Sequence, residues 1–158
     1  MAEQHQKRLQ DLLNKQQQRM QELAAVKAKT DLRAGIPFFD IKYRFADAEE
    51  TEKIETILHQ IPFSVPGRID TAALSGNQVE KPTYQGKAWI CFLGGSVSVL
   101  HTFIRGRIDD ILRDLDDWQA VSSTILLLLG DYRHVIFLDD NGTVTEAEII
   151  PRNDSAEN

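Results

Sequence analysis

The stretch Val135–Ile149, VIFLDDNGTVTEAEI, decides how the end of the chain folds. Two runs that form strands flank the Asn-Gly pair at 141–142, which is favoured at the positive-φ positions of a two-residue type I′ turn. The stretch therefore predicts a β-hairpin, with Ile136 facing Ala147. A three-residue turn with a Gly bulge would instead oppose Ile136 to Glu146, and the sequence leaves both registers open.

The segment FLDDNGTV within this stretch resembles the aspartate loop of the haloacid-dehalogenase-like phosphatases, in which Asp-x-Asp-Gly-Thr follows an apolar strand. Asp139 matches the nucleophile of that loop, but Asn141 stands where its second Asp belongs. Too few residues follow to supply the other charged groups that phosphoryl transfer requires. An EF-hand calcium loop does not fit either, because Val144 stands at its sixth position, where Gly is needed. The hairpin interpretation is therefore preferred.

The composition of the chain indicates one folded domain. Its 158 residues are 42% hydrophobic and 27% charged, enough for a single core. Cys91, the only cysteine, lies in the apolar run AWICFLG and is predicted to be a buried, inert thiol. The four histidines have no metal-ligand spacing, and no phosphate loop or catalytic motif is present. We therefore expect no metal and no cofactor.

The N-terminal part of the chain predicts a long helix. Strong helix formers fill Gln4 to Lys29 without Pro or Gly, although the apolar positions in this segment form a thin stripe interrupted at Gln16 to Arg19. The N-terminal residues MAEQHQKRLQ have no apolar core resembling a signal peptide, and no apolar run reaches the length of a membrane span. We therefore expect a cytoplasmic protein that does not enter a membrane.

Charge is unevenly distributed along the sequence. Residues 1–33 carry seven bases and four acids, a net +3, whereas residues 109–158 carry three bases and twelve acids, a net −9. This acidic third, residues 109–158, disfavours nucleic-acid binding there and favours a basic protein partner. The predicted partner-binding residues are the carboxylates and aromatics of this region: Asp109, Asp110, Asp114, Asp116, Asp117, Tyr132, Phe137, Asp139, Asp140, Glu146 and Glu148.

The middle of the chain combines strand and helix patterns. Alternating apolar residues over Phe39–Phe45 predict a half-buried strand, and Asp47 with Glu50 has the spacing of a capping box that begins a helix. Residues 62–86 contain repeated Pro and Gly, which predicts a long irregular connection that can hide a short strand. The segment KAWICFLGGSVSVLHTF then predicts a second hairpin.

A helix and a buried strand follow this second hairpin. RIDDILRDLDDW places Ile108, Ile111 and Trp118 on one helical face and turns its aspartates elsewhere. STILLLL favours a buried strand, and residues 151–158 are expected to be disordered.

The order of these elements resembles a split β-α-β unit, the ferredoxin-like plan. Through IPFSVPGRI, KAWICF and IDDILRDLDDW, the chain also resembles a small bacterial domain family of unknown function. The predicted fold class is α+β: a mostly antiparallel sheet with two packed helices, a long N-terminal helix and a C-terminal β-hairpin. We predict a helical arm over residues 1–33, a domain over 36–150 and a tail over 151–158.

These patterns favour binding over catalysis. The resemblance implies association with toxin/immunity loci, so we expect a non-enzymatic immunity protein that inhibits the basic domain of a bacterial toxin through its acidic surface. The alternative is a structural or adaptor protein, phage or mobile-element encoded, that forms a homodimer through the N-terminal helix. An enzyme would need a polar pocket lined by His101, Arg105 or Arg107.

Overall fold

A computed structural model describes residues 2–61, 63–65, 68–69, 76–94 and 97–149. Within these residues, six helices accompany a seven-stranded sheet and a separate two-stranded ribbon, which confirms the predicted α+β class. The helices are α1 Ala2–Gly35, α2 Phe39–Lys42, α3 Ala48–Leu58, α4 Val97–Leu100, α5 Ile108–Arg113 and α6 Leu115–Val121. The strands are β1 Arg44–Phe45, β2 Phe63–Val65, β3 Arg68–Ile69, β4 Asn77–Val79, β5 Lys87–Phe92, β6 Phe103–Arg107, β7 Ile125–Leu129, β8 His134–Leu138 and β9 Val144–Glu148.

The large sheet has the order β1-β6-β5-β7-β8-β9-β4, and every neighbouring pair is antiparallel. Strands β1 and β5 are parallel to each other because both are antiparallel to β6, which lies between them. Strand β7 pairs with β5, and the sheet continues through β8, β9 and β4, so the full ferredoxin-like arrangement is not confirmed.

The sheet is covered on both faces. One face forms a cluster that includes Trp89, Cys91 and Phe137 and packs against Ile54 of α3. The other face forms a second cluster with the end of α1, with α2, and with the α5–α6 segment. Strands β5 and β7 are buried on both faces, which explains their continuous apolar runs.

The long N-terminal helix is confirmed, and it extends from Ala2 to Gly35. It contacts α2 and α4, and Leu32 is its one buried residue. The Lys29 ammonium and the Arg33 guanidinium lie over the Phe45 ring, 5.4 and 5.5 Å from its centroid. The C-terminal third of α1 therefore holds the helix against the sheet.

The prediction of a strand over Phe39–Phe45 is wrong for most of that segment. Phe39–Lys42 is one turn of helix, and only Arg44–Phe45 pairs in the sheet. Phe39 and Tyr43 are buried, whereas Ile41 is 84% exposed. Residues four apart share a helical face, so the helix buries both aromatic rings and leaves Ile41 outside.

The capping box is confirmed, because the Asp47 carboxylate accepts the Glu50 N–H at 2.8 Å and Glu50 accepts the Asp47 N–H at 3.1 Å. The predicted second hairpin is confirmed in its pairing, since β5 and β6 are antiparallel. Its connection differs from the prediction, because Val97 and Val99 belong to α4. Among the described residues of 62–86, the possible short strand is observed, and three strands are present: β2, β3 and β4.

The acidic helix of the prediction is divided into α5 and α6 at Asp114. Its apolar face is confirmed, because Ile108, Ile111 and Trp118 are buried. The buried strand predicted at STILLLL is β7, and Cys91 is fully buried, as predicted. Burial raises the pKa of the Cys91 thiol, which keeps it protonated.

The C-terminal hairpin has the register of the three-residue turn. Leu138 pairs with Val144 and Ile136 with Glu146. Gly142 has φ 80°, the left-handed conformation that a bulge of this kind requires. The two-residue alternative is therefore wrong. The predicted tail, residues 151–158, lies outside the described residues.

Candidate interaction surfaces

Asp114 lies inside the molecule, which corrects the expectation that it faces solvent. It is 7% exposed and accepts hydrogen bonds from Lys42 Nζ at 2.7 Å and from Tyr43 Oη at 2.6 Å. Burial alone would raise the pKa of Asp114, but these two donors outweigh burial and lower it. Burial and the same contact raise the pKa of Tyr43. Asp114 therefore fastens α2 to the α5–α6 junction.

Glu146 is also buried, contrary to the prediction of an outward carboxylate. It is 6% exposed and accepts three hydrogen bonds from the segment that follows β4. The donors are the Thr83 N–H at 2.8 Å, the Thr83 hydroxyl at 2.6 Å and the Tyr84 N–H at 3.0 Å. Glu146 thereby holds the end of the residue 62–86 connection against the sheet.

Other predicted contact residues also have internal partners. Phe137 is buried under the α3 face of the sheet, which corrects its predicted outer position. The Asp139 carboxylate accepts the Asn141 and Thr143 N–H groups and stabilises the hairpin turn. Two further residues are partly exposed but paired: the Tyr132 ring lies 4.1 Å from Lys53 Nζ, and Glu148 bonds Arg133 at 2.8 Å.

Four of the predicted acids remain at the surface. Asp109, Asp116, Asp117 and Asp140 are exposed. Asp110 is partly buried, and Arg113 lies 3.8 Å from its carboxylate. The acidic third is therefore a smaller outward surface than its net charge of −9 indicates, because many of its carboxylates hold the fold together.

The largest exposed apolar feature in the described part of the chain lies on α1. Six side chains of this helix are between 49% and 64% exposed, and we call them the apolar stripe: Leu9, Leu12, Leu13, Met20, Leu23 and Val26. Scattered apolar residues are normal on protein surfaces, but several large ones along one face of a helix are typical of an interaction site.

The apolar stripe points away from the sheet. Leu32 is the buried contact of α1, and Leu23 precedes it by nine residues, about two and a half turns of helix. Leu23 consequently lies on the opposite side of the helix from Leu32. The docking contact that buries Leu32 therefore leaves the apolar stripe exposed.

A groove runs beside α1 where the helix meets α4 and α6. Its volume is about 470 Å³, and most of its lining is apolar. Ala24 and Ala28 line it from α1, and Asp117 and Val121 line it from α6. Sequence reasoning missed this groove. The one sequence feature that could have indicated it is the pair Ala24 and Ala28, because two small side chains four residues apart leave space beside a helix.

A second groove, of about 950 Å³, separates α1 from α3. His101 lines it, and its Nδ1 lies 2.9 Å from Glu55 Oε1. Of the three residues named for a possible active site, only His101 lies here. Arg105 stacks over Trp89 at 5.6 Å, and neither it nor Arg107 lines the groove. One surface His-Glu pair does not assemble a nucleophile, a base and an anion site.

Two further features concern the described residues alone. Among them, no group of three or more His, Cys, Asp or Glu side chains is arranged to hold a metal ion. None of their helices is both long and apolar enough to cross a bilayer.

Comparison with known protein families finds no match, and comparison with curated proteins finds none either. The resemblance to a bacterial domain family of unknown function therefore stays a prediction.

Proposed function

We propose that the protein is a non-enzymatic structural or adaptor protein that self-associates through α1. The observation that carries this proposal is the apolar stripe, six large side chains exposed on the helix face opposite Leu32. Isolated helices are marginal in water, and amphipathic helices gain stability by burying their apolar face. A second helix would provide that burial without disturbing the sheet.

The surface area that the apolar stripe can bury is close to that of a standard protein–protein interface. If each of the six side chains loses about 100 Å², burial is on the order of 600 Å² per copy, and flanking residues bring this close to the ~800 Å² per partner of a standard interface. Residues 16–19 interrupt the stripe between Leu13 and Met20, and two of them, Gln16 and Arg19, lie on the stripe's face of the helix. Polar residues in such a seam set register and oligomeric state at some cost in stability.

The decisive experiment measures mass in solution for the full chain and for two variants. L13K/M20K places two ammonium groups in the stripe, and Q18K places one on the opposite side of α1 as a control. We expect the wild type and Q18K to have at least twice the mass of one chain, and L13K/M20K to have the mass of one. A monomeric wild type contradicts the proposal, as does an oligomer that L13K/M20K leaves intact.

A second candidate function is neutralisation of a basic partner, as in an immunity protein against a toxin. The exposed Asp109, Asp116 and Asp117 on α5 and α6 favour it, since clustered acids speed the capture of a cationic protein. Salt distinguishes the two functions. Screening weakens charge-steered capture, whereas burial of the apolar stripe does not depend on ionic attraction.

A further inference from the structure

We infer that two copies pair antiparallel through α1, with the helices crossing at Gln16. This inference rests on the proposed self-association and specifies its geometry. Three observations support it: the symmetric positions of four stripe residues, the charge difference between α1 and the rest of the chain, and the position of the sheet at one end of α1.

Four of the six residues of the apolar stripe are symmetric about Gln16. Leu9 and Leu23 are each seven residues from Gln16, and Leu12 and Met20 are each four residues from it. When two such helices run antiparallel with Gln16 opposite Gln16, Leu9 faces Leu23 and Leu12 faces Met20. These four side chains meet apolar partners, and the two Gln16 amides can satisfy each other. The other two stripe residues, Leu13 and Val26, lie opposite Arg19 and Gln6.

Charge favours the antiparallel orientation. Residues 1–33 carry +3 and the whole chain carries −6, so residues 34–158 carry −9. The sheet is attached at the C-terminal end of α1, around Leu32. Parallel pairing would place two domains of −9 side by side. Antiparallel pairing places them at opposite ends and brings the basic N-terminal turns of each helix towards the acidic domain of the other.

The α1 helix is long enough for this arrangement. Its 34 residues span about 50 Å, and the symmetric part from Leu9 to Leu23 spans about 20 Å of that length. The rest of the helix on the C-terminal side reaches the sheet. The two domains are thereby held apart by the paired segment and do not compete for the same space.

Disulfide cross-linking tests the orientation directly. The variants L9C and L23C are purified separately, oxidised alone, and oxidised as an equal mixture in which one chain carries a tag. A disulfide requires Cβ atoms within about 4.5 Å, so the mixture should give at least about tenfold more cross-linked product than either variant alone. Cys91 is 0% exposed and does not interfere.

Two further cysteine variants separate failure of the orientation from failure of self-association. Q16C should cross-link with itself at the crossing point, and Q18C, on the opposite face of α1, should not. Efficient cross-linking of L9C with itself indicates parallel helices and overturns the inference while self-association stands. A Q16C chain that is dimeric by mass but does not cross-link also overturns it. A monomeric mass defeats both proposals.

Discussion

The first helix and the acidic third invert the usual placement of side chains. On α1, six large apolar residues are about half exposed or more, whereas the acidic third buries Asp114 and Glu146 to 7% and 6% exposure. The two buried carboxylates have five hydrogen-bond donors between them. Residues 2–24 of α1 are exposed on every side of the helix, so most of the apolar stripe lies where α1 extends past the rest of the described domain.

The difference shows that available partners, and not residue type alone, decide what is buried. A buried carboxylate is tolerated when donors satisfy it, and the fold then depends on it. An apolar side chain with no partner in its own chain remains available for another chain. The acids predicted to bind a partner are therefore partly structural, and the helix with the thin stripe becomes the stronger interaction surface.

The largest expected effect is that of Asp114→Ala. This variant leaves the Lys42 ammonium and the buried Tyr43 hydroxyl without their acceptor. Removing one member of a buried charged pair costs about 3 kcal/mol or more in free energy of unfolding. Chemical denaturation of the full chain measures the loss, and Asp116→Ala is the matched control.

Asp116 is exposed on α6, so its replacement should change the free energy of unfolding by about 0.5 kcal/mol or less. Equal effects of the two substitutions would mean that Asp114 is an ordinary surface acid. In that case Asp114 would not support the contrast between buried structural acids and exposed apolar residues.

Glu146→Ala should give an intermediate effect. It leaves the Thr83 and Tyr84 N–H groups and the Thr83 hydroxyl without an acceptor, at a cost of about 2 kcal/mol. Glu146→Gln should lose less, because the amide oxygen can accept both N–H groups while its nitrogen donates to the hydroxyl. Denaturation midpoints of these variants and of Glu148→Ala measure the series.

Glu148 serves as the control because it lies two residues along the same strand and forms a surface ion pair with Arg133. Such pairs contribute about 1 kcal/mol or less. If Glu148→Ala were as destabilising as Glu146→Ala, the three bonds to Thr83 and Tyr84 would have no special importance.

Sequence patterns predicted the elements that local forces determine. The long helix, the Asp47–Glu50 capping box and the buried strand β7 follow from propensity, side-chain capping and apolar runs. The segment Phe39–Phe45 was assigned incorrectly because apolar residues at 39 and 43 satisfy a period of two and also a helical spacing of four. The sequence left the hairpin register open because the two possible turns differ in length by one residue, and that residue shifts the pairing of the strands.

The candidate site was less predictable because its contacts are distant in sequence. Lys42 and Asp114 are 72 positions apart, and Thr83 and Glu146 are 63 apart. Net charge counts both buried and exposed carboxylates, so it overestimated the acidic surface. The apolar positions of α1 were visible in the sequence, but the orientation of that helix against the sheet was not.

The smallest expected effect concerns Glu50, which is neither a fully buried acid nor a free surface acid. Hydrogen bonds from Arg44 and from the Asp47 N–H outweigh the opposing effect of burial and lower its pKa to about 2. A carboxylate whose pKa is lower in the folded state stabilises the fold above its unfolded pKa, near 4.3, and loses that contribution as pH falls through the folded value. Because the Arg44 side chain is 49% exposed, the pair should contribute about 1 kcal/mol or less at pH 7.

Glu50→Gln can keep the cap but loses the charged contact with Arg44. Its deficit in free energy of unfolding should therefore be measurable at pH 7 and should disappear as pH falls towards 2. Glu49→Gln is the control, since Glu49 is exposed in the same turn of α3. A deficit that persists unchanged at low pH would show that Glu50 acts through its shape or its cap. Acids with internal partners would then owe their importance to packing, and not to charge.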